Sequence, residues 1–251
     1  MSFADVLKLA PLGFYSAVAH VSAVYAMSAG AVSFGQVIKA AEPVFAAVIG
    51  YFVYGKSVSK AKIFMLIPII GGICIASVSE LDFSIGALVA ASTANVASAF
   101  RGQENKRVDE PSVGIKEAMG GTGNKFALSQ LWATIFLLPT VFISGEYAKI
   151  DAFTKMWAED GMPGKEGLVY STIMSGLTFY LYNEVSTLAL NKISGVTHSV
   201  ANTAKRAIII VGCAIAFGES MSMPKMVGCG IAIGGTFFYA IIDDLVKPKK
   251  A

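Results

Sequence analysis

The sequence predicts an all-α integral membrane protein, and three observations predict it. Of 251 residues, 55% are hydrophobic and only 15% charged, with a mean hydropathy of +0.62, far above that of a soluble domain of this size. Apolar stretches of roughly 20 residues, the length that crosses a ~30 Å hydrocarbon layer, recur along the whole chain rather than once at the start. A stretch near the beginning also returns near the end. Together they predict eight transmembrane helices of a ten-helix, inverted-repeat (five plus five) plan.

Taken in order, the apolar stretches predict spans at 9–29, 34–55, 58–79, 83–104, 123–145, 166–190, 196–217 and 224–244. Short polar turns end several of them, such as Gly55-Lys56-Ser57 and Gly218-Glu219-Ser220. Only 105–122 and 146–165 are long enough to be extended loops. The 25 glycines include the mid-helix pairs Gly71-Gly72 and Gly234-Gly235, as expected of helices packed closely through small residues. Cys74, Cys213 and Cys229 fall inside apolar stretches without metal-ligand spacing and are assigned packing roles.

The repeat sets residues 37–72 on 200–235. Val37, Ala41, Val48, Gly55, Ser57, Ser59, Lys62, Gly71 and Gly72 then meet identical residues. Five spans, from 83 to 244, end with the second copy, and three end with the first. The expected organisation is therefore 1–80 as the last three helices of a first half and 81–251 as a complete second half, in one transmembrane domain. Halves of five helices, an odd number, sit in the membrane in opposite senses. On this reading two helices of the first half are absent, as in a shortened chain.

Of the 20 Lys and Arg, alternate loop assignment places twelve on the side of both termini and four on the other, which agrees with the helix count. Lys39, Arg101, Lys205 and Arg206 remain, at membrane depth or at span ends. A cation at the bilayer centre costs roughly 2.5–3.5 kcal/mol on insertion scales and normally faces a partner or an aqueous cavity. The acids near that depth, Glu42 and Glu184 with Asp243 and Asp244 near an end, can neutralise part of the set. A cavity with surplus positive charge asks for an anion.

Lys205 and Arg206 lie about 100° apart on a helix and converge on one ligand only if both line a cavity wall; otherwise they snorkel to an interface. If they converge, a forked guanidinium beside a compact ammonium suits a phosphate dianion. Lys39 has Glu42 at i, i+3, so a local ion pair is its alternative. His20 and Tyr182 precede these cations by one helix, and both can donate to a sugar hydroxyl or phosphate oxygen. Either can equally be a packing residue, and Arg101 an interfacial anchor. No catalytic residues, metal ligands or cofactor site emerge, and no basic run suggests nucleic acid.

The stretches "AVSFGQVIKAAEPVFAAVIGYFVYG" (31–55), "IIGGICIASVSELDFSIGALVAASTANVASAFRGQENKR" (69–107), "LYNEVSTLALNKISGVTHSVANTAKR" (181–206) and "NTAKRAIIIVGCAIAFGES" (202–220) resemble, in order, the plastid triose-phosphate/phosphate translocator family, sugar-phosphate/phosphate antiporters of the drug/metabolite transporter superfamily. The resemblance covers nearly the whole chain and implies helices three to ten of that fold. It implies a phosphate site of Lys39, Lys205 and Arg206, with His20, Tyr182 and Arg101 on the rest of the substrate. Arg101 is the expected partner of a second anionic group such as a carboxylate. Ala23, one turn after His20, is small where members commonly carry a polar residue.

The resemblance further implies a non-enzymatic antiporter in the plastid (chloroplast) inner envelope membrane. Its partners are inorganic phosphate, triose phosphate or 3-phosphoglycerate, and the lipid bilayer. The alternatives are hexose-phosphate, pentose-phosphate or phosphoenolpyruvate exchange, or a nucleotide-sugar antiporter on the same superfamily fold.

Overall fold

A computed structural model describes residues 2–78, 84–110, 113, 118–120, 122–159, 167–190, 195–219 and 221–246. The predicted boundary between halves, at 80/81, lies outside the described residues. All regular elements among those described are helical: α1 (Phe3–Leu7), α2 (Ala10–Ser28), α3 (Val32–Lys39), α4 (Glu42–Phe52), α5 (Lys60–Val78), α6 (Ile85–Val108), α7 (Thr122–Ile143), a 3₁₀ turn (Glu146–Lys149), α8 (Ile150–Ala158), α9 (Leu168–Leu190), α10 (Gly195–Phe217) and α11 (Met223–Val246). Among the described residues, five helical stretches are long and apolar enough to cross a membrane: Phe3–Ser28, Val32–Phe52, Lys60–Val78, Gly123–Ile143 and Met223–Val246. α6, α9 and α10 lie where three further spans were predicted.

Three expectations change. The predicted span 34–55 is two helices, α3 and α4, with a break at Ala40-Ala41. α6 runs on to Val108, so Arg101 lies two turns inside it rather than at its end. The expected loop 146–165 contains α8.

α2 packs on α6 and α7, α4 on α6, α10 on α3 and α11, and α11 along α5. Alanine makes these approaches possible: Ala26, Phe34, Ile38, Ala87, Ala90 and Ala91 form one core where α2, α3 and α6 meet. Val37, Ala76, Ile210 and Cys229 form another among α3, α5, α10 and α11. Outward faces stay apolar, as with Ile63, Phe64, Ile67 and Ile70 on α5, which suits lipid rather than water.

α5 and α11 run antiparallel. Lys62 pairs with Asp243 at 2.7 Å at one end, and Gly72 and Ala76 meet Ala232 and Gly228 further along. A Cβ on Gly72 would lie 2.5 Å from the Ala232 nitrogen, and one on Gly228 2.5 Å from the Ala76 nitrogen. Only glycine lets the backbones approach this closely. Of the predicted glycine pairs, Gly72 and Gly235 make such contacts, whereas Gly71 and Gly234 face open space.

Candidate anion site at the helix break

The break is written in Pro43. A proline has no N–H to donate to the carbonyl four residues back, and for Pro43 that carbonyl belongs to Lys39. α3 therefore ends at Lys39, and α4 starts at Glu42 with the proline in its first turn. Backbone carbonyls freed inside a membrane must find other donors. Three side chains from three helices supply them. Asn95 of α6 donates to the Ile38 carbonyl at 2.8 Å, Arg206 of α10 donates to that of Lys39, and the Thr236 hydroxyl of α11 is shared between the Ala232 carbonyl at 2.8 Å and that of Ala40 at 3.2 Å.

Arg206 has a second task. Its other nitrogen meets the Glu42 carboxylate at 2.5 Å, so one guanidinium ties the end of α3 to the start of α4. Helix dipoles favour this placement, cation at a C-terminus and acid in a first turn. Glu42 thus pairs with Arg206 and not with Lys39, since the i, i+3 geometry of a continuous helix is lost at the break. Lys39 makes no ion pair among the described residues. It lines a small cleft with Ala23, Ala26, Met27, Gly35, Gln36 and Ala91.

Lys205 points elsewhere. Its ammonium donates to the Tyr182 hydroxyl at 2.6 Å and lies 5.2 Å from the centre of that ring. The two adjacent cations of α10 therefore diverge, Arg206 toward the break and Lys205 toward α9. His20 sets its ring edge-on against Phe179 of α9, centroids 5.4 Å apart, one turn before Tyr182. The charges acting on Lys39 are those of Glu42, Arg206, Arg101 and Lys205, and Arg101 and Lys39 act in turn on His20. Around Lys39 the formal count is four cations against one carboxylate, a surplus of three.

Of the other acids near membrane depth, two have a described neighbour. Glu184 lies against Gly123 at the start of α7, and Asp243 holds Lys62 and Ser59. Asn95, Thr236 and Phe179 were missed in the sequence. Only Asn95 carries a signal, a fully buried amide on an alanine-rich face. Glu219 was missed as well. From the α10–α11 turn it accepts from the backbone nitrogens of Val32, at 2.7 Å, and Ser33, at 3.1 Å, and from the Ser33 hydroxyl. α3, whose own cap residue Ala31 offers no side chain, is thus capped across 186 residues of chain.

A break lined by cations, at the middle of an apolar span, is architecture found in carriers. The model of the Triose-phosphate Transporter family matches residues 1–240. The chain belongs to that family. Among the family's curated members it is 30% identical over 250 residues to the chloroplastic triose phosphate/phosphate translocator of Flaveria trinervia, covering 98% of this chain and 58% of that protein. To the chloroplastic glucose-6-phosphate/phosphate translocator 1 of Arabidopsis thaliana it is 31% identical, covering 92% and 58%. To the xylulose 5-phosphate/phosphate translocator of the same plant it is 32% identical, covering 98% and 56%. The chain thus spans somewhat under three fifths of these relatives' length.

Proposed function

We propose that this chain forms the larger part of an antiporter that exchanges inorganic phosphate for a phosphorylated three-carbon compound, triose phosphate or 3-phosphoglycerate, across a plastid inner envelope membrane. The observation that carries the reading is Lys39, without an ion pair among the described residues, in the cleft beside the helix break, with Arg206 bonded to its carbonyl. Relatives named as phosphate translocators support the choice of anion. On this reading Lys39 holds the phosphate, and Lys205 and Arg206 join it by turning from Tyr182 and Glu42 toward the break. His20 and Tyr182 contact the remainder, and Arg101 meets a carboxylate where the substrate has one.

The electrostatics give a reason for exchange rather than one-way flow. An empty, low-dielectric site with unneutralised cations is costly, and a bound dianion lowers that cost. Reorientation is then favoured only with an anion aboard, and return requires another. The motion is alternating access between two inverted five-helix halves, with eight of the ten helices in this chain. The antiparallel α5–α11 pair supports that plan: at the repeat offset, the Gly72–Ala232 contact becomes Gly235–Ile69, which is also present.

The test is uptake into proteoliposomes. Labelled 3-phosphoglycerate should enter vesicles preloaded with phosphate, and Lys39→Ala or Lys205→Ala should lower entry by at least about tenfold, the worth of a charge-assisted contact. Comparable entry into phosphate-free vesicles would count against coupled exchange. A larger sugar phosphate is the second reading, favoured by Ala23, whose methyl leaves the cleft beside Lys39 open.

A further inference from the structure

We propose that α8 is an interfacial anchor: it lies flat in the headgroup layer, apolar face down, and holds the α7–α9 connection to neutral lipid by aromatic burial rather than by charge. On a helical projection, Ile150, Phe153, Met156 and Trp157 fall within one arc of about 120°, with Asp151 and Lys155 opposite. All four apolar side chains are exposed, at 57%, 45%, 48% and 37%. Tyr147, in the preceding 3₁₀ turn, joins them at 52%. Each residue from 146 to 159 is exposed, and among the described residues α8 packs mainly on that turn and α9.

Two constraints say what covers this face. The first is position. α7 is one of the helices long and apolar enough to cross a membrane; it ends at Ile143, and Gly145, at φ 71°, turns the chain sharply. Four residues of 3₁₀ helix at about 2 Å each then lead to α8, which keeps it within roughly a helical turn or two of where α7 leaves the hydrocarbon. The second is stability. At nine residues, α8 is shorter than the ~12–15 an isolated helix needs in water, whereas a face of Ile, Phe, Met and Trp gains from the acyl–headgroup boundary. The segment carries Lys149 and Lys155 against Glu146, Asp151 and Glu159. With acids outnumbering cations, anionic lipid offers it no attraction.

The inference does not depend on what is carried. The chain has two tryptophans, Trp132 and Trp157, so emission of the full chain in phosphatidylcholine vesicles minus that of Trp157→Phe isolates Trp157. Lipids brominated high on the acyl chain should quench this difference at least about twofold more than lipids brominated near the bilayer centre, as for interfacial Trp. Aqueous iodide should quench it little, and added anionic lipid should change nothing. Iodide quenching without bromolipid quenching places the face in water, and protection from both places protein over it. Either result overturns the proposal, as does bromolipid quenching that requires anionic lipid. Trp132→Phe, which leaves Trp157 as sole emitter, must give the same pattern even if the first variant inserts poorly.

Discussion

Arg206 has a structural task before any ligand binds. Removing its head leaves the Lys39 carbonyl unpaired and Glu42 without its partner. Arg206→Ala should therefore cost roughly 1–3 kcal/mol of ligand-free stability, even without transport, seen as a lower detergent melting temperature. Arg206→Lys keeps the charge but not the fork, and should recover only part of it. At the proposed site, the same pairing makes Glu42 compete with the anion for Arg206. If phosphate must share or take Arg206 from that carboxylate, Glu42→Gln should tighten phosphate binding by about tenfold, on the order of 1.4 kcal/mol, read as a larger thermal shift at fixed phosphate. Weaker binding would mean that Glu42 mainly positions the guanidinium. The embedded cations were legible in the sequence because charge at membrane depth is rare. Their partners were not: a continuous helix puts Glu42 beside Lys39, and only the break sends it to Arg206.

At the scale of elements, hydropathy and length predicted where helices lie, since those properties are local. The break in 34–55 was less legible, although Pro43 was its signal, because a proline near a helix end and one that divides a span look alike until the neighbours that satisfy the freed carbonyls are known. The cap on α3 was beyond reach, for its acceptor comes from the opposite end of the chain. Glu219→Ala removes the acceptor for Val32 N–H, Ser33 N–H and the Ser33 hydroxyl, and should cost about 1–2 kcal/mol, the scale of a lost N-cap. The loss should appear as faster hydrogen exchange at Val32 and Ser33 specifically, since amides deep in α5 do not depend on this carboxylate. Unchanged protection at those two amides would show that water replaces Glu219 without penalty.

For the whole molecule, the axis on which the proposed halves meet is the α5–α11 pair, and its glycines separate packing from mere abundance. Gly71 and Gly72 are neighbours of the same type in the same helix, yet a methyl group on Gly72 would strike the Ala232 and Gly228 backbones while one on Gly71 meets nothing. Gly72→Ala must push α11 away along its length, and overpacking of this kind costs typically about 1–3 kcal/mol. Gly71→Ala should be neutral or stabilising by up to about 1 kcal/mol, because alanine is the better helix former. The repeat supplies a second pair with the same sense: Gly235→Ala meets Ile69, whereas Gly234→Ala meets open space. Four melting curves in one detergent therefore test the antiparallel seam, with 72 and 235 expected to fall and 71 and 234 to hold. If all four fell alike, the glycines would be needed for backbone freedom, and the close contact of α5 with α11 would not be what holds the two ends of the chain together.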